Sequence, residues 1–345
     1  ATTEIYTFPT RRSSDLAIAE EFGDARIWSP TQLESYARCP WAFFADRLLG
    51  LERLEEPDAD LDPRTRGTLL HRALQLFYDR ARDEYAGGPV FLRAGDETWA
   101  EPLLLAALDQ ALAECEDEVW LGHPALRDAK REELRRILRK YLAFEIEHGE
   151  KHFNNRANAA YTLRTGVVEH ELAFKDVELV VDGTRVRFRG FIDRVEVGID
   201  ERVAGSDRFV AAVDYKTTKS ATPAGGEKDG WEDGVVLQVP LYAYALTQLR
   251  PGAVVSRVEY RALKQACTVH ALELEQVDRR THELLSDDEA REKYERALDA
   301  VAGHVRAVRA GCFPARPAPS CGCPPFCTGR DICRVPGGPR SKRDR

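Results

Sequence analysis

Methionine is missing altogether from the 345 residues, so the chain carries no initiator and is expected to be part of a longer protein that extends upstream. No apolar run approaches the roughly 20 residues that a helix needs to cross a bilayer, and the N-terminus lacks the apolar centre of a secretory signal. These absences lead to the expectation of a cytoplasmic protein with no membrane partner. A Gly-x-x-x-x-Gly-Lys phosphate loop is absent too, which excludes an ATP motor on this stretch. No internal repeat occurs, which excludes a solenoid. Positive charge is in short supply. With 50 Lys and Arg against 58 Asp and Glu, the net charge of −8 argues against a nonspecific nucleic-acid coat. A local basic groove stays open, because only the field near a site steers a ligand.

What is present is ordinary for a globular protein, at 43% hydrophobic and 31% charged residues. The length allows one large domain with insertions or two smaller ones. The segment "TFPTRRSSDL" (Thr7 to Leu16) resembles a translated sequencing adapter, so residues 1–16 are set aside as non-native. The remainder, 17–334, reads as a single domain, with a helical insertion at about 84–158 and a disordered basic tail at 335–345. "SPTQLESYARCP" opens with Ser29 as N-cap, Pro30 at the first helical position and Gln32 closing a capping box. In "RTRGTLLHRALQLFYDRARDEY", Leu70, Leu74 and Phe77 recur at helical spacing, with His71, Gln75 and Tyr78 on a neighbouring face. Two longer helical patterns cover about 98–120 and 124–150. The period then changes to that of strands in "VVEHELAF", "VRFRGFIDRVEVG" and "RFVAAVDYKTT". A Gly-rich loop leads to the helix "VVLQVPLYAYALTQL". Two more strand-like runs ("VSRVEYRAL", "TVHALELE") and a helix near 287–310 follow. This order predicts an α/β fold, a mixed central sheet flanked by helices.

The third strand ends in an unusual way. Side chains two apart on a strand share a face, so Asp214 and Lys216 stand together while Tyr215 points away. On its own, this pair is an exposed strand end with an incidental ion pair. The preceding strand, however, carries Asp193, and pairing of the two strands brings both carboxylates to one end of the sheet. Two carboxylates beside a lysine suit Mg²⁺ or Mn²⁺, which prefer oxygen ligands and can activate water against a phosphate. Lys216 can orient that water or stabilise the transition state. As a general base it would need a lowered pKa.

"GTLLHRAL", "GFIDRVEV", "VDYKTTK" and "QVPLY", in that order, resemble the PD-(D/E)XK nuclease superfamily, and its RecB/AddB-type branch in particular, from about Trp28 to Cys333. The resemblance implies a restriction-endonuclease-like core. It also implies metal ligation by His71, Asp193, Asp214 and the backbone carbonyl of Tyr215, with Lys216 in the catalytic centre. Gln238 and Tyr242, one helical turn apart, would contact the substrate backbone or support Lys216.

Eight cysteines without a secretory signal point to a reducing compartment, where clustered thiols bind metal more often than they form disulfides. "CGCPPFCTGRDICRV" supplies Cys321, Cys323, Cys327 and Cys333, and Cys39 is a distant partner. In the resembled branch, one N-terminal and three C-terminal cysteines hold a 4Fe–4S cluster that clasps the ends of the domain. The match is Cys39, Cys323, Cys327 and Cys333, with Cys321 as the alternative to Cys323, because the usual spacing of two between the first C-terminal pair is three here. Four thiolates equally suit zinc. Cys115, Cys267 and Cys312 occur singly and read as unligated structural thiols, behaving as small buried apolar side chains.

The function that the resemblance implies is a metal-dependent DNA nuclease, exonucleolytic in type, forming the C-terminal nuclease domain of an AddB/RecB-like helicase–nuclease in double-strand-break repair and recombination. Its partners would be DNA and a helicase subunit or an upstream helicase-like region. A standalone CRISPR spacer-acquisition-type iron–sulfur nuclease and an inactive DNA-binding module are the alternatives. Arg64, Arg66, Arg72, Arg189, Arg194 and Lys219 flank the motifs and are candidate phosphate contacts. In the helix at 124–150, Glu132, Glu133 and Glu145 interleave with the Lys and Arg residues, which predicts a solvated face.

Overall fold

The computed structural model describes residues 18, 20–52, 61–115, 126–154, 159–218, 234–319, 322, 323, 327–329, 332 and 333. The adapter-like segment 1–16, Lys219, Cys321 and the tail 335–345 lie outside the described residues.

The chain runs β1 (Ile27–Trp28), α1 (Pro30–Arg38), α2 (Pro40–Arg47), α3 (Pro63–Glu84), α4 (Glu97–Cys115), α5 (Arg127–Asn154), β2 (Ala160–Thr162), β3 (Thr165–Val181), β4 (Thr184–Gly198), β5 (Phe209–Lys216), α6 (Gln238–Leu249), β6 (Val254–Ala262), β7 (Cys267–Glu273), β8 (Glu275–Asp278), β9 (Leu284–Ser286) and α7 (Asp288–Arg309). Local chemistry sets the boundaries. Ser29 and Gln32 form the capping box of α1. Asp62 caps α3 by accepting from the backbone N–H groups of Arg64 and Thr65, and Pro63 costs no hydrogen bond at the first helical position. Pro40 ends α1 and starts α2, with Cys39 between them.

The main sheet is mixed. β3 pairs antiparallel with the whole of β4, while β1 (parallel) and β5 (antiparallel) share the other edge of β4. β5 pairs parallel with β6, and β7 closes the order antiparallel. The parallel step from β5 to β6 requires a crossover, which α6 supplies. β2, β8 and β9 form a small second sheet.

Strand alternation divides the core. Val195, Ala212, Val258 and Tyr260 face one side and pack with α1, α2, α6 and α7. Val213, Tyr215 and Leu263 face the other and pack with α3, α4 and α5. That second face also carries charge. Arg194 and Glu196 on β4, and Arg257, Glu259 and Arg261 on β6, are all buried, and Glu145 reaches them from α5. Arg194 Nη1 lies 2.9 Å from Glu145 Oε2, and its Nη2 lies 2.5 Å from Glu196 Oε1. Arg257 pairs with Glu196 at 2.8 Å and Arg261 with Glu259 at 2.6 Å, and Arg261 also meets Glu145. Three guanidiniums therefore face three carboxylates, which is what makes so much buried charge tolerable.

Glu145 is not part of a solvated face: it sits under α5, bridging Arg194 and Arg261. Arg194 is not available to a nucleic acid. It is 5% exposed, and its Nη1 also donates to the hydroxyls of Tyr78 at 3.0 Å and Tyr215 at 3.3 Å.

Candidate active site

The register of β4 and β5 pairs Arg194 with Val213, so the next position along sets Asp193 beside Asp214. On the opposite edge of β4, His170 pairs with Arg194 and Leu172 with Ile192, which brackets Glu171 against Asp193. Three neighbouring strands thus carry a row of three carboxylates at one level. Glu171 holds a left-handed backbone (φ +52°), a conformation rarely taken by residues other than glycine. Such strain persists where the surroundings enforce it, often at functional sites.

α3 brings in His71. Its Nε2 lies 3.1 Å from the carbonyl oxygen of Tyr215, so Nε2–H donates there and leaves the lone pair on Nδ1. Nδ1 is 3.6 Å from Asp193 Oδ2 and 4.0 Å from Glu171 Oε1. The backbone N–H of Tyr215 donates to the same Asp193 Oδ2 at 2.7 Å, which locks the carboxylate in place. Tyr215 therefore orients two groups through its main chain while its ring is anchored in the ionic layer.

The donor atoms of His71, Glu171 and Asp193 lie within 4.8 Å of one another. Burial pushes the His71 imidazole down, which favours the neutral form that ligates metals. Burial, and then the charge of Asp214, push the Asp193 carboxyl well above the usual carboxylate range. Several lone pairs thus converge where like charges repel, and one divalent cation would relieve them. The chemistry of the set fits a hard metal ion such as Mg²⁺ or Mn²⁺.

Asp214, 1% exposed, is turned towards Lys216, whose Nζ lies 2.5 Å from its Oδ2. Lys216 Nζ also donates to Gln238 Oε1 at 2.8 Å, and Gln238 Nε2 donates to the Tyr242 hydroxyl at 2.7 Å. The ammonium lies 5.1 Å from the centroid of the Tyr260 ring. Burial works against charge on Lys216, but Asp214 and Glu34 outweigh it, and its pKa is raised. A raised pKa favours the ammonium over the free amine that a general base requires.

Two residues of this site escape a reading of the sequence. Glu171 is one. Glu34 is the other: its Oε1 accepts from the backbone N–H groups of Leu237 at 3.0 Å and Gln238 at 2.8 Å, and from the Tyr260 hydroxyl at 2.9 Å. It thereby fixes the start of α6, where Gln238 stands. The available signal is a lone acid on the apolar stripe of α1, beside buried Leu33, Tyr36 and Ala37.

Among the candidate phosphate contacts, Arg64 and Arg189 are exposed. Arg66 lies 4.0 Å from Glu133, and Arg72 is engaged by Glu114 at 2.7 Å and by Gln75 at 2.9 Å. The thiols divide similarly. Cys39 is buried, and burial pushes its pKa up, with the thiols of Cys327 and Cys333 adding to the effect. Cys323 is half-buried, and so are Cys115 and Cys267, while Cys312 is exposed rather than the buried apolar side chain expected of it. Residues 36–41 meet residues 312–318 beside Cys39: Trp41 N–H donates to the Pro314 carbonyl, Ala318 N–H to the Arg38 carbonyl and the Tyr36 hydroxyl to the Cys312 carbonyl. Among the described residues, Cys39, Cys323, Cys327 and Cys333 do not form a donor group within 4.8 Å of one another, unlike His71, Glu171 and Asp193. A Cβ on Gly329 would lie 2.7 Å from that of Ala45, so the C-terminal segment packs closely on α2.

Comparison with known proteins points in the same direction. The family model described as the PD-(D/E)XK nuclease superfamily matches residues 27–334. The mixed sheet flanked by helices is consistent with the restriction-endonuclease-like fold of that superfamily. The chain is 26% identical over 231 residues to the B-type subunit of the ATP-dependent helicase/deoxyribonuclease of Symbiobacterium thermophilum, covering 66% of this chain and 18% of that protein. It is 27% identical over 221 residues to the protein of the same name from Anoxybacillus flavithermus, covering 61% of this chain and 17% of that one. It thus spans less than a fifth of the length of these relatives. Among the described residues, no helix is long and apolar enough to cross a membrane.

Proposed function

The chain belongs to the PD-(D/E)XK nuclease superfamily, and from that premise we propose that it is a Mg²⁺- or Mn²⁺-dependent deoxyribonuclease module that trims DNA ends within a helicase–nuclease. The observation that carries this reading is the convergence of His71, Glu171 and Asp193 beside the Asp214–Lys216 pair. His71, Glu171 and Asp193 would hold the ion, with Asp214 and the Tyr215 carbonyl alongside. When bound, it supplies Lewis-acid charge and an activated water.

The remaining roles fall to the chain's own groups. Lys216 keeps its proton and offers a fixed positive charge to the scissile phosphate as negative charge builds there. Gln238 holds the ammonium through its carbonyl oxygen, Tyr242 holds Gln238, and Glu34 holds the helix start beneath both. Arg64, Arg66 and Arg189 are the contacts for flanking phosphates. The names of the relatives support DNA as substrate and a helicase as partner.

The test is direct. Linear DNA should be degraded in Mg²⁺, with activity lost on chelation and restored by added Mg²⁺ or Mn²⁺. Degradation that persists in EDTA, or no degradation under any divalent ion, would remove the reading.

Cys39, Cys327 and Cys333, with Cys323 or Cys321, are proposed to hold a 4Fe–4S cluster where the segment after α7 meets α1 and α2, with zinc as the other metal this donor set accepts. Metal binding would then contribute directly to folding stability. Cys327→Ala is expected to lose metal content and to melt at a lower temperature. Unchanged iron and zinc content with an unchanged midpoint would contradict the proposal.

A further inference from the structure

The two flanks of α5 are treated differently by the fold. On one flank, Arg135 pairs with Asp109 at 2.9 Å and Arg139 with Glu101 at 2.8 Å and Glu132 at 3.1 Å, so α4 and α5 between them neutralise the charge. On the other flank, a cavity of about 390 Å³ opens between α5 and the β6–β7 turn, lined by Lys130, Glu133, Arg136, Ile137, Lys140 and Lys264. Four of these side chains are cationic and one is a carboxylate. Glu133 lies 3.5 Å from Lys130, 3.9 Å from Lys264 and 4.0 Å from Arg66 of α3. The acidic chain as a whole thus hides a local excess of positive charge, the situation in which a field focuses an anion.

The cleft also adjoins the candidate site. The N–H of Leu263 donates to the Lys216 carbonyl at 2.8 Å, and that of Lys264 donates to the Thr217 carbonyl at 3.0 Å. The turn that carries Lys264 is therefore hydrogen-bonded to the end of the strand that carries the D-x-K pair. α3 approaches the same end, since a Cβ on Gly67 would lie 3.3 Å from Thr217 Oγ1.

We propose that this cleft binds backbone phosphates of a single DNA strand beside the catalytic centre, through Arg136, Lys140 and Lys264. The inference rests on the nuclease reading and adds to it the surface that holds the substrate.

Binding is measured in EDTA, where no cleavage intervenes, with a fluorescently labelled single-stranded oligonucleotide over roughly 50 to 200 mM salt. The triple variant Arg136→Ala, Lys140→Ala, Lys264→Ala is expected to raise Kd about tenfold or more. It should also make the log–log salt slope shallower by roughly 0.7 for each phosphate no longer neutralised. Glu133→Gln, which removes the carboxylate from the cleft lining, is expected to tighten binding and steepen the slope. Opposite signs from the two variants cannot come from damage to the fold. Wild-type affinity and slope in the triple variant, or weaker binding in both variants, would overturn the proposal. If the triple variant binds like wild type while wild type degrades DNA in Mg²⁺, the cleft falls and the nuclease reading stands. If wild type cleaves nothing while the two variants shift binding in opposite directions, the cleft stands and the nuclease reading falls.

Discussion

Asp193→Ala is expected to lower kcat/KM for DNA hydrolysis by roughly 10³-fold or more, since a metal's electrostatic contribution amounts to several kcal/mol and each 1.4 kcal/mol is tenfold in rate. Asp193 is the side chain that joins the three parts of the site. It accepts from the Tyr215 N–H, stands 3.6 Å from His71 Nδ1, and shares with Glu171 a donor set whose atoms all lie within 4.8 Å of one another. Asp193→Asn separates charge from shape. Its side-chain oxygen can still accept from Tyr215, so the strand end keeps its geometry, while the anionic ligand is gone. Both variants should show the same loss of rate. Stability of Asp193→Asn should be unchanged or higher, because the native carboxyl is held in a position that burial and Asp214 disfavour. Activity within tenfold of wild type in Asp193→Asn would count against a metal at this position. A fall in both activity and melting temperature for Asp193→Asn would point to a structural role instead.

The second large effect is on stability. Glu145→Ala is expected to cost about 3–5 kcal/mol, the range for removing one partner of a buried ion pair. It leaves three buried guanidiniums facing two carboxylates, with Arg194 and Arg261 each losing one of their partners. Urea unfolding measures this, with Glu132→Ala as the comparison. Glu132 pairs with Arg139 at an exposed position on the same helix, where such pairs are worth about 0–1 kcal/mol. Equal small effects from the two variants would show that the buried layer relaxes or hydrates. The same layer makes the protein sensitive to acid. Burial opposes ionisation of Glu145, but Arg194 and Arg261 outweigh it and hold its pKa at about 2. Its contribution is complete above the ordinary carboxylate range and is lost as pH falls towards 2. His170 adds to this. Burial and then Arg194 bring its pKa down to about 3, so the unfolded chain takes up a proton first as pH falls below about 6.5. Both groups therefore weaken the fold in acid, and Glu145→Ala should show a shallower loss than wild type over that window.

Much of the architecture is legible in the sequence because it depends on local rules. Ser29, Gln32 and Pro30 set a helix start, Pro40 sets a boundary, and the period-2 runs set the strands. The motifs also single out His71, Asp193, Asp214 and Lys216, which the fold brings to one end of the sheet. What stays hidden depends on which face a later element covers. "VSRVEYRAL" alternates charged and apolar residues, the pattern of a strand with one side in water. In the fold, Arg257, Glu259 and Arg261 are all buried, and Arg261 is met by Glu145 of α5, a helix more than a hundred residues upstream. Arg194 is hidden for the same reason. A guanidinium beside a catalytic carboxylate suggests a phosphate contact, and nothing in the local sequence says that Glu145 will reach it. Glu171 is inconspicuous because its importance comes from cross-strand register and an unusual φ, neither of which a single strand reveals.

Asp193 and Arg194 are adjacent on β4, and the pleat sends one towards the candidate site and the other into the ionic layer. A slip of β4 by one position would exchange them, placing a cation among the would-be metal ligands and an acid where Arg194 otherwise neutralises Glu145. The misaligned strand would thus be penalised on both sides at once. The chemistry of the site and the fidelity of strand alignment are inherited together, through two neighbouring residues of opposite charge.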